Sequence, residues 1–121
     1  MTEIATLLAY FGKFATAYPS DNVPTDAEYP YITVEPRLAF FGDGDVPIQV
    51  NLWARTDSDA AVNKIVRAIG EDIGYGGMPR PCDGGWLWIK RGTPFVVPVT
   101  VTDDEAIKRR LINVSVEFMT Y

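Results

Sequence analysis

The sequence predicts an α+β domain, with two amphipathic helices packed on one face of a mostly antiparallel sheet in the order α-β-β-α-β-β-β. Three observations carry this. From Val46 to Arg55, the residues Val46, Ile48, Val50, Leu52 and Ala54 alternate with Pro47, Gln49, Asn51, Trp53 and Arg55, the period of a half-buried strand. Directly after it, Val62, Ile65, Val66, Ile69 and Ile73 recur at helical spacing, with Asn63, Lys64, Arg67 and Glu71 largely opposite. At the C-terminal end, Ile112, Val114, Val116 and Phe118 alternate with Asn113, Ser115, Glu117 and Met119.

Taken in order, the first element is a helix over about residues 2–17. Ile4, Leu7, Leu8, Phe11, Phe14, Ala15 and Tyr18 make one wide apolar stripe, and Thr2 or Glu3 suits the positive end of the helix dipole. Gly12 weakens this helix or marks close packing, and Pro19 ends it. Residues 20–28 form a polar connection. Residues 29–35 read as a strand with Ile32 and Val34 on one side and Tyr31 and Thr33 on the other; Pro30 belongs at its start or on an edge.

Residues 36–45 form a long hairpin connection that turns at Gly42-Asp43-Gly44-Asp45. Leu38, Ala39, Phe40 and Phe41 are unexpected in a solvated loop, and either cover the core or offer an apolar surface to a partner. The Val46–Arg55 strand follows, then the helix, which Asp57 or Ser58 can cap. Its stripe makes Ile65 a core residue, so Ile65→Asp is expected to unfold the domain. Residues 74–85 hold five glycines and two prolines and are expected to form no regular element. Strands are expected over 86–91, over 93–102 at an edge or bulge because of Pro94 and Pro98, and over 108–121.

A chain of 121 residues with 47% hydrophobic and 22% charged residues suits a single domain, 1–121, with a real core. The net charge of −5 disfavours a general nucleic-acid binder, and Lys108-Arg109-Arg110 is the only basic triplet. Cys82 is the single cysteine, so no intramolecular disulfide forms. No stretch approaches the roughly 20 apolar residues of a spanning helix, and the N-terminus lacks the pattern of an ordinary signal peptide. A soluble, cytoplasmic protein is the expectation.

The search for chemistry returns little. There is no histidine, which removes the commonest general base and the Ser-His and Cys-His pairings. Only Arg80 stands near enough in sequence to favour a Cys82 thiolate, and an inert thiol is the simpler expectation. Asp43 with Asp45, and Asp57 with Asp59, have the oxygen ligands a hard cation prefers, yet turn and cap roles explain them more simply. Gly74-Tyr75-Gly76-Gly77 lacks the lysine and hydroxyl of a phosphate loop. Trp86, Trp88 and Phe95 have the rings to stack bases, but a covered sheet face or an assembly surface explains them better in an acidic chain. Neither an enzyme nor a cofactor is expected.

The order of elements, with the Tyr-Pro-Tyr-Ile-Thr-Val strand, the PIQVNLWARTDSDAAVNKIVRAI strand–turn–helix and the closing RRLINVSVEFMT strand, resembles the tail-terminator and tail-completion (neck) proteins of long-tailed bacteriophages and prophages. The resemblance implies a structural protein that assembles as a ring, typically a hexamer. Such a ring caps the tail tube and joins tail to head. Its implied partners are further copies of itself, the tail tube protein and head–tail connector proteins, with neither membrane nor direct nucleic-acid recognition. Its implied setting is the host cytoplasm during assembly, then the virion. A head–tail connector or another minor tail protein is the near alternative; a small-ligand or nucleic-acid-binding α+β domain is the distant one.

Two regions carry the residue types expected at such contacts. The outward side of the organising strand presents Gln49, Asn51, Trp53 and Arg55, and tryptophan and arginine are enriched at interface cores. Equally, a second layer of the same protomer would cover Trp53. Met78 and Arg80, in the glycine-rich stretch, either order against a neighbour or sit on an ordinary mobile loop.

Overall fold

The computed structural model describes residues 1–101 and 103–120. It contains two helices and a six-stranded, mostly antiparallel sheet. In chain order these are α1 (Glu3–Phe11), β1 (Thr16–Pro19), β2 (Tyr31–Val34), β3 (Val46–Arg55), α2 (Asp59–Ile73), β4 (Met78–Cys82), β5 (Gly85–Val99) and β6 (Ile107–Thr120). The sheet runs β1-β2-β3-β6-β5-β4, with only the β1–β2 pair parallel. The order is therefore α-β-β-β-α-β-β-β rather than the expected α-β-β-α-β-β-β.

The expected first helix is too long. Thr2 caps α1 by accepting from the Ala5 amide, but beyond Phe11 the bonds tighten to three-residue turns, Lys13 to Tyr10 and Phe14 to Phe11. The chain then straightens into β1, where Thr16–Pro19 pairs alongside Tyr31–Val34. Phe14 and Ala15 still pack against the core, whereas Tyr18 belongs to a strand.

The glycine-rich stretch also departs from expectation. Met78–Cys82 is a strand paired with Gly85–Ile89 through a two-residue Asp83-Gly84 connection. Pro79 and Pro81 stand two apart, so both fall on positions of the same parity and the donors lost lie on one side. In place of the strands expected over 86–91 and 93–102 stands one element, β5, which bulges between Arg91 and Val96, resumes its pairing with β6 and ends at Val99; residue 102 lies outside the described residues. At the bulge Asn113 donates its amide to the Pro94 carbonyl at 3.0 Å.

A single core joins the elements. Leu7, Tyr10 and Phe11 of α1 and Val62, Ile69 and Ile73 of α2 meet Ile32, Val34, Ile48, Val50, Leu52, Leu87, Ile89, Ile112, Val114 and Val116. The strand residues in this set alternate, as the period of two requires. Tyr10 also ties the helices together, its phenol donating to the Asp72 carboxylate at 2.7 Å. Burial and that carboxylate push the Tyr10 phenol well above its ordinary range, while the same bond, with Lys13, holds Asp72 below the usual carboxylate range. Ile65 sits at the margin of the core, half-buried, so its stripe position overstates its burial.

Candidate functional site

The strand residues of the opposite parity build the outer face of the sheet. Register places Tyr31 opposite Trp53, Trp53 opposite Arg109 and Arg109 opposite Val99, while Tyr18 approaches Tyr31 from β1. One row of side chains thus crosses β2, β3, β6 and β5, and Tyr18, in register with Thr33, reaches it diagonally from β1. The Tyr31 and Trp53 rings stack, 6.3 Å apart at 17°, and the Arg109 guanidinium lies 4.9 Å from the Trp53 ring on the other side. Tyr18 meets Tyr31 edge-on at 6.0 Å.

A second row lies beside it: Thr33, Asn51, Leu111 and Val97. The first row leans over it and fixes it. The Trp53 indole donates to the Thr33 hydroxyl at 3.1 Å, and Arg109 Nε donates to the Asn51 amide oxygen at 2.8 Å. Thr33 and Asn51 are in consequence buried, although they lie on the outer face. At the end of β3, Arg55 lies over the Tyr29 ring at 5.3 Å and pairs with Asp104 at 3.0 Å. The Asp104 carboxyl is held below its usual range first by the Ala106 amide and then by Arg55. Burial, and the neighbouring Tyr29 and Tyr18 phenols, push the Tyr31 phenol up.

The sequence-predicted residues divide accordingly. Gln49, Asn51, Trp53 and Arg55 share the outer face, with Gln49 and Arg55 exposed, Trp53 half-buried and Asn51 covered. No second layer of the described residues covers Trp53; its cover comes from Tyr31 and Arg109 in the same sheet. Met78 and Arg80 do not join them. They lie on β4, on the side of the core: Met78 packs against it, and the Arg80 guanidinium sits 5.3 Å from the Tyr10 ring.

Sequence reasoning missed Arg109 and the tyrosines. Lys108-Arg109-Arg110 was read as one charged run, but a strand splits such a run between its faces. Lys108 and Arg110 pair with Asp59 at the start of α2, at 3.5 and 2.9 Å, and Arg109 alone faces Trp53. The Arg110 bond chiefly, with Lys108, holds the Asp59 carboxyl below its usual range. The alternation of β6 was the signal that placed Arg109 with Asn113 and Ser115, away from Ile112 and Val114.

Asp43 accepts from the Phe40 amide, Asp45 pairs with Lys90 at 2.8 Å, and Ser58 caps α2. Lys90 donates to the Asp45 and Glu117 carboxylates, and these bonds push its ammonium up. Cys82 is buried, and burial, with Glu3 and Asp83, pushes its thiol up, which disfavours the thiolate that reactivity needs. Phe95 lies over Gly70 of α2, apart from Trp86 and Trp88, so these three rings make no common stacking platform. Among the described residues, no group of three or more acidic, histidine or cysteine side chains is placed to hold a metal ion, and no helix is long and apolar enough to cross a membrane. No protein-family model matches the sequence, and no curated protein matches it either.

Proposed function

We propose that this chain is a structural virion protein of the tail-terminator kind, one that assembles with copies of itself into a ring, caps a tail tube and joins tail to head. What supports this reading most is the outer row Tyr18–Tyr31–Trp53–Arg109, with Arg55 and Tyr29 at its end. Tyrosine, tryptophan and arginine are the residue types that dominate interface energetics, because they combine large apolar area with a few directional donors. Here they stand in one band, pre-ordered by stacking and by the bonds to Thr33 and Asn51, so little side-chain entropy remains to be lost on contact.

The capping mechanism follows from having two unlike surfaces. One must match the last tube ring, and the other must refuse a further tube subunit while accepting the neck. Deletion of the gene in the phage that carries it is the test. Overlong or unjoined tails are the expected result. Normal tails beside empty, tailless heads would overturn termination in favour of a head–tail connector.

A further inference from the structure

On the connection between β2 and β3, Leu38, Phe40 and Phe41 are 60%, 64% and 69% exposed, while Ala39 between them is buried. Single exposed apolar residues are ordinary, but three large ones on one short loop mark a contact. The loop is held firmly. The Ala39 amide donates to the Glu3 carboxylate at 3.0 Å, and Arg37 pairs with Glu35 at 3.0 Å. Phe40 and Asp43 close a turn from both sides, the Asp43 amide to the Phe40 carbonyl at 3.0 Å and the Phe40 amide to the Asp43 carboxylate at 2.9 Å. Gly42 takes φ 96° at the third position of that turn, which side chains rarely tolerate, and Phe41 is left at the tip.

At the far end of the same hairpin lies a pocket of about 140 Å3, walled by Tyr29, Ala54, Ala61, Val62 and Ile65 with Arg55 at its rim. An apolar cavity of about 150 Å3 takes one benzene ring, so the pocket has the size of a phenylalanine ring. The loop enters β3 at Val46 and the pocket lies beside Ala54 and Arg55. At about 3.3 Å per residue the strand sets them roughly 30 Å apart, so Phe41 cannot reach the pocket of its own chain.

The geometry points to a head-to-tail contact in which Phe41 of one copy fills the Tyr29–Ile65 pocket of the next, bringing Asp43 beside Arg55. This rests on the reading of the chain as a ring former and names the surfaces that meet. The two patches differ, so the contact is heterologous; repeated, it closes a ring or continues as a filament. It also accounts for Ile65, an apolar residue on the inner stripe of α2 that the protomer leaves half-covered.

The test uses the full chain with Phe41→Asp and, separately, Ala61→Trp, followed by sedimentation and native mass spectrometry over a concentration series. Both positions are exposed, so each variant is expected to melt as the wild type does. The expected result is a self-associating wild type and association weakened about ten- to a hundredfold in each variant, as for withholding one phenylalanine side chain from burial. Mixing Phe41→Cys chains with Ala61→Cys chains should then give a 41–61 disulfide. A wild type that associates while both variants match it, or a 41–41 disulfide in its place, overturns this contact and leaves the ring reading standing. A wild type that stays monomeric throughout overturns this contact, and gene deletion then decides the ring reading on its own.

Discussion

Ile65 and Ile69 share one helical stripe in the sequence, and the fold separates them sharply. Ile69 is 0% exposed in the centre of the core, while Ile65 is half-buried against the pocket at the end of β3. Ile69→Ala removes three methylene-sized groups at about 0.8 kcal/mol each, or about 2.4 kcal/mol of transfer free energy. The cavity left in a packed centre raises the loss to about 3–4 kcal/mol, and the better helix propensity of alanine returns only about 0.4 kcal/mol. For Ile65→Ala about half of the transfer term applies and solvent can enter the space, so the net loss is about 1 kcal/mol. Urea unfolding at low protein concentration, with equal m-values, reads the difference directly. In melting temperature it corresponds to a drop of roughly 12 °C against roughly 4 °C. Equal losses, or a larger loss at Ile65, would refute the placement of α2 on the sheet. The stronger pair, Ile69→Asp and Ile65→Asp, should split the same way, the first unfolded and the second folded, which revises the expectation drawn from the stripe alone.

Other perturbations test other parts of the molecule. Arg109→Ala should cost about 1–3 kcal/mol in a denaturant series, because it leaves the buried Asn51 amide oxygen without its donor; a neutral result would show that water reaches Asn51. Gly85→Ala should prevent or badly weaken folding, since its Cβ would stand 2.0 Å from the Met119 carbonyl oxygen, whereas Gly76→Ala has nothing within 4 Å to meet and should be tolerated; circular dichroism melts of the two compare them. Asp72 has a folded-state pKa below its unfolded value, so its contribution is present above about pH 4 and is lost as pH falls through the folded value. The stability gap between wild type and Asp72→Asn should therefore be full at pH 7 and close below about pH 4. Cys82 should resist a thiol reagent at pH 8 until urea unfolds the chain; rapid labelling of the folded protein would contradict its burial.

The legible parts of this fold are those in which one local pattern acts alone. β3 runs from Val46 to Arg55 as the alternation predicts, and α2 starts after Ser58, whose hydroxyl accepts from the Ala61 amide. The illegible parts are those decided by distant pairing. Phe14, Ala15 and Tyr18 continue a helical spacing from α1, but the chain leaves the helix after Phe11 in tight turns, and the parallel alignment of Thr16–Pro19 with β2 takes Tyr18 into a strand. Met78–Cys82 was hidden by glycine and proline, although Asp83-Gly84 is a dipeptide that favours tight hairpins and could have revealed it. The candidate surface was half legible for the same reason. Gln49, Asn51, Trp53 and Arg55 follow from one strand's alternation, but Tyr31 and Arg109 reach Trp53 through the registers of two other pairings.

The prolines bear on how this chain can meet its neighbours. Its sheet has two outer strands, β1 and β4, and β4 covers only the Gly85–Ile89 part of β5. Pro19 lies in β1, Pro79 and Pro81 in β4, and Pro94 and Pro98 in the part of β5 beyond β4. A proline has no amide hydrogen to donate, so an incoming strand would find donors missing along each of these edges. Growth by strand addition is therefore disfavoured on both sides of the sheet. The proposed contacts between copies would then fall to side chains: the aromatic–arginine band across the outer face, and the Leu38–Phe41 loop at one end of the hairpin with the Tyr29–Ile65 pocket at the other. Side-chain contacts of that kind depend on shape and so set the angle between neighbours, which is what decides whether a head-to-tail series closes on itself.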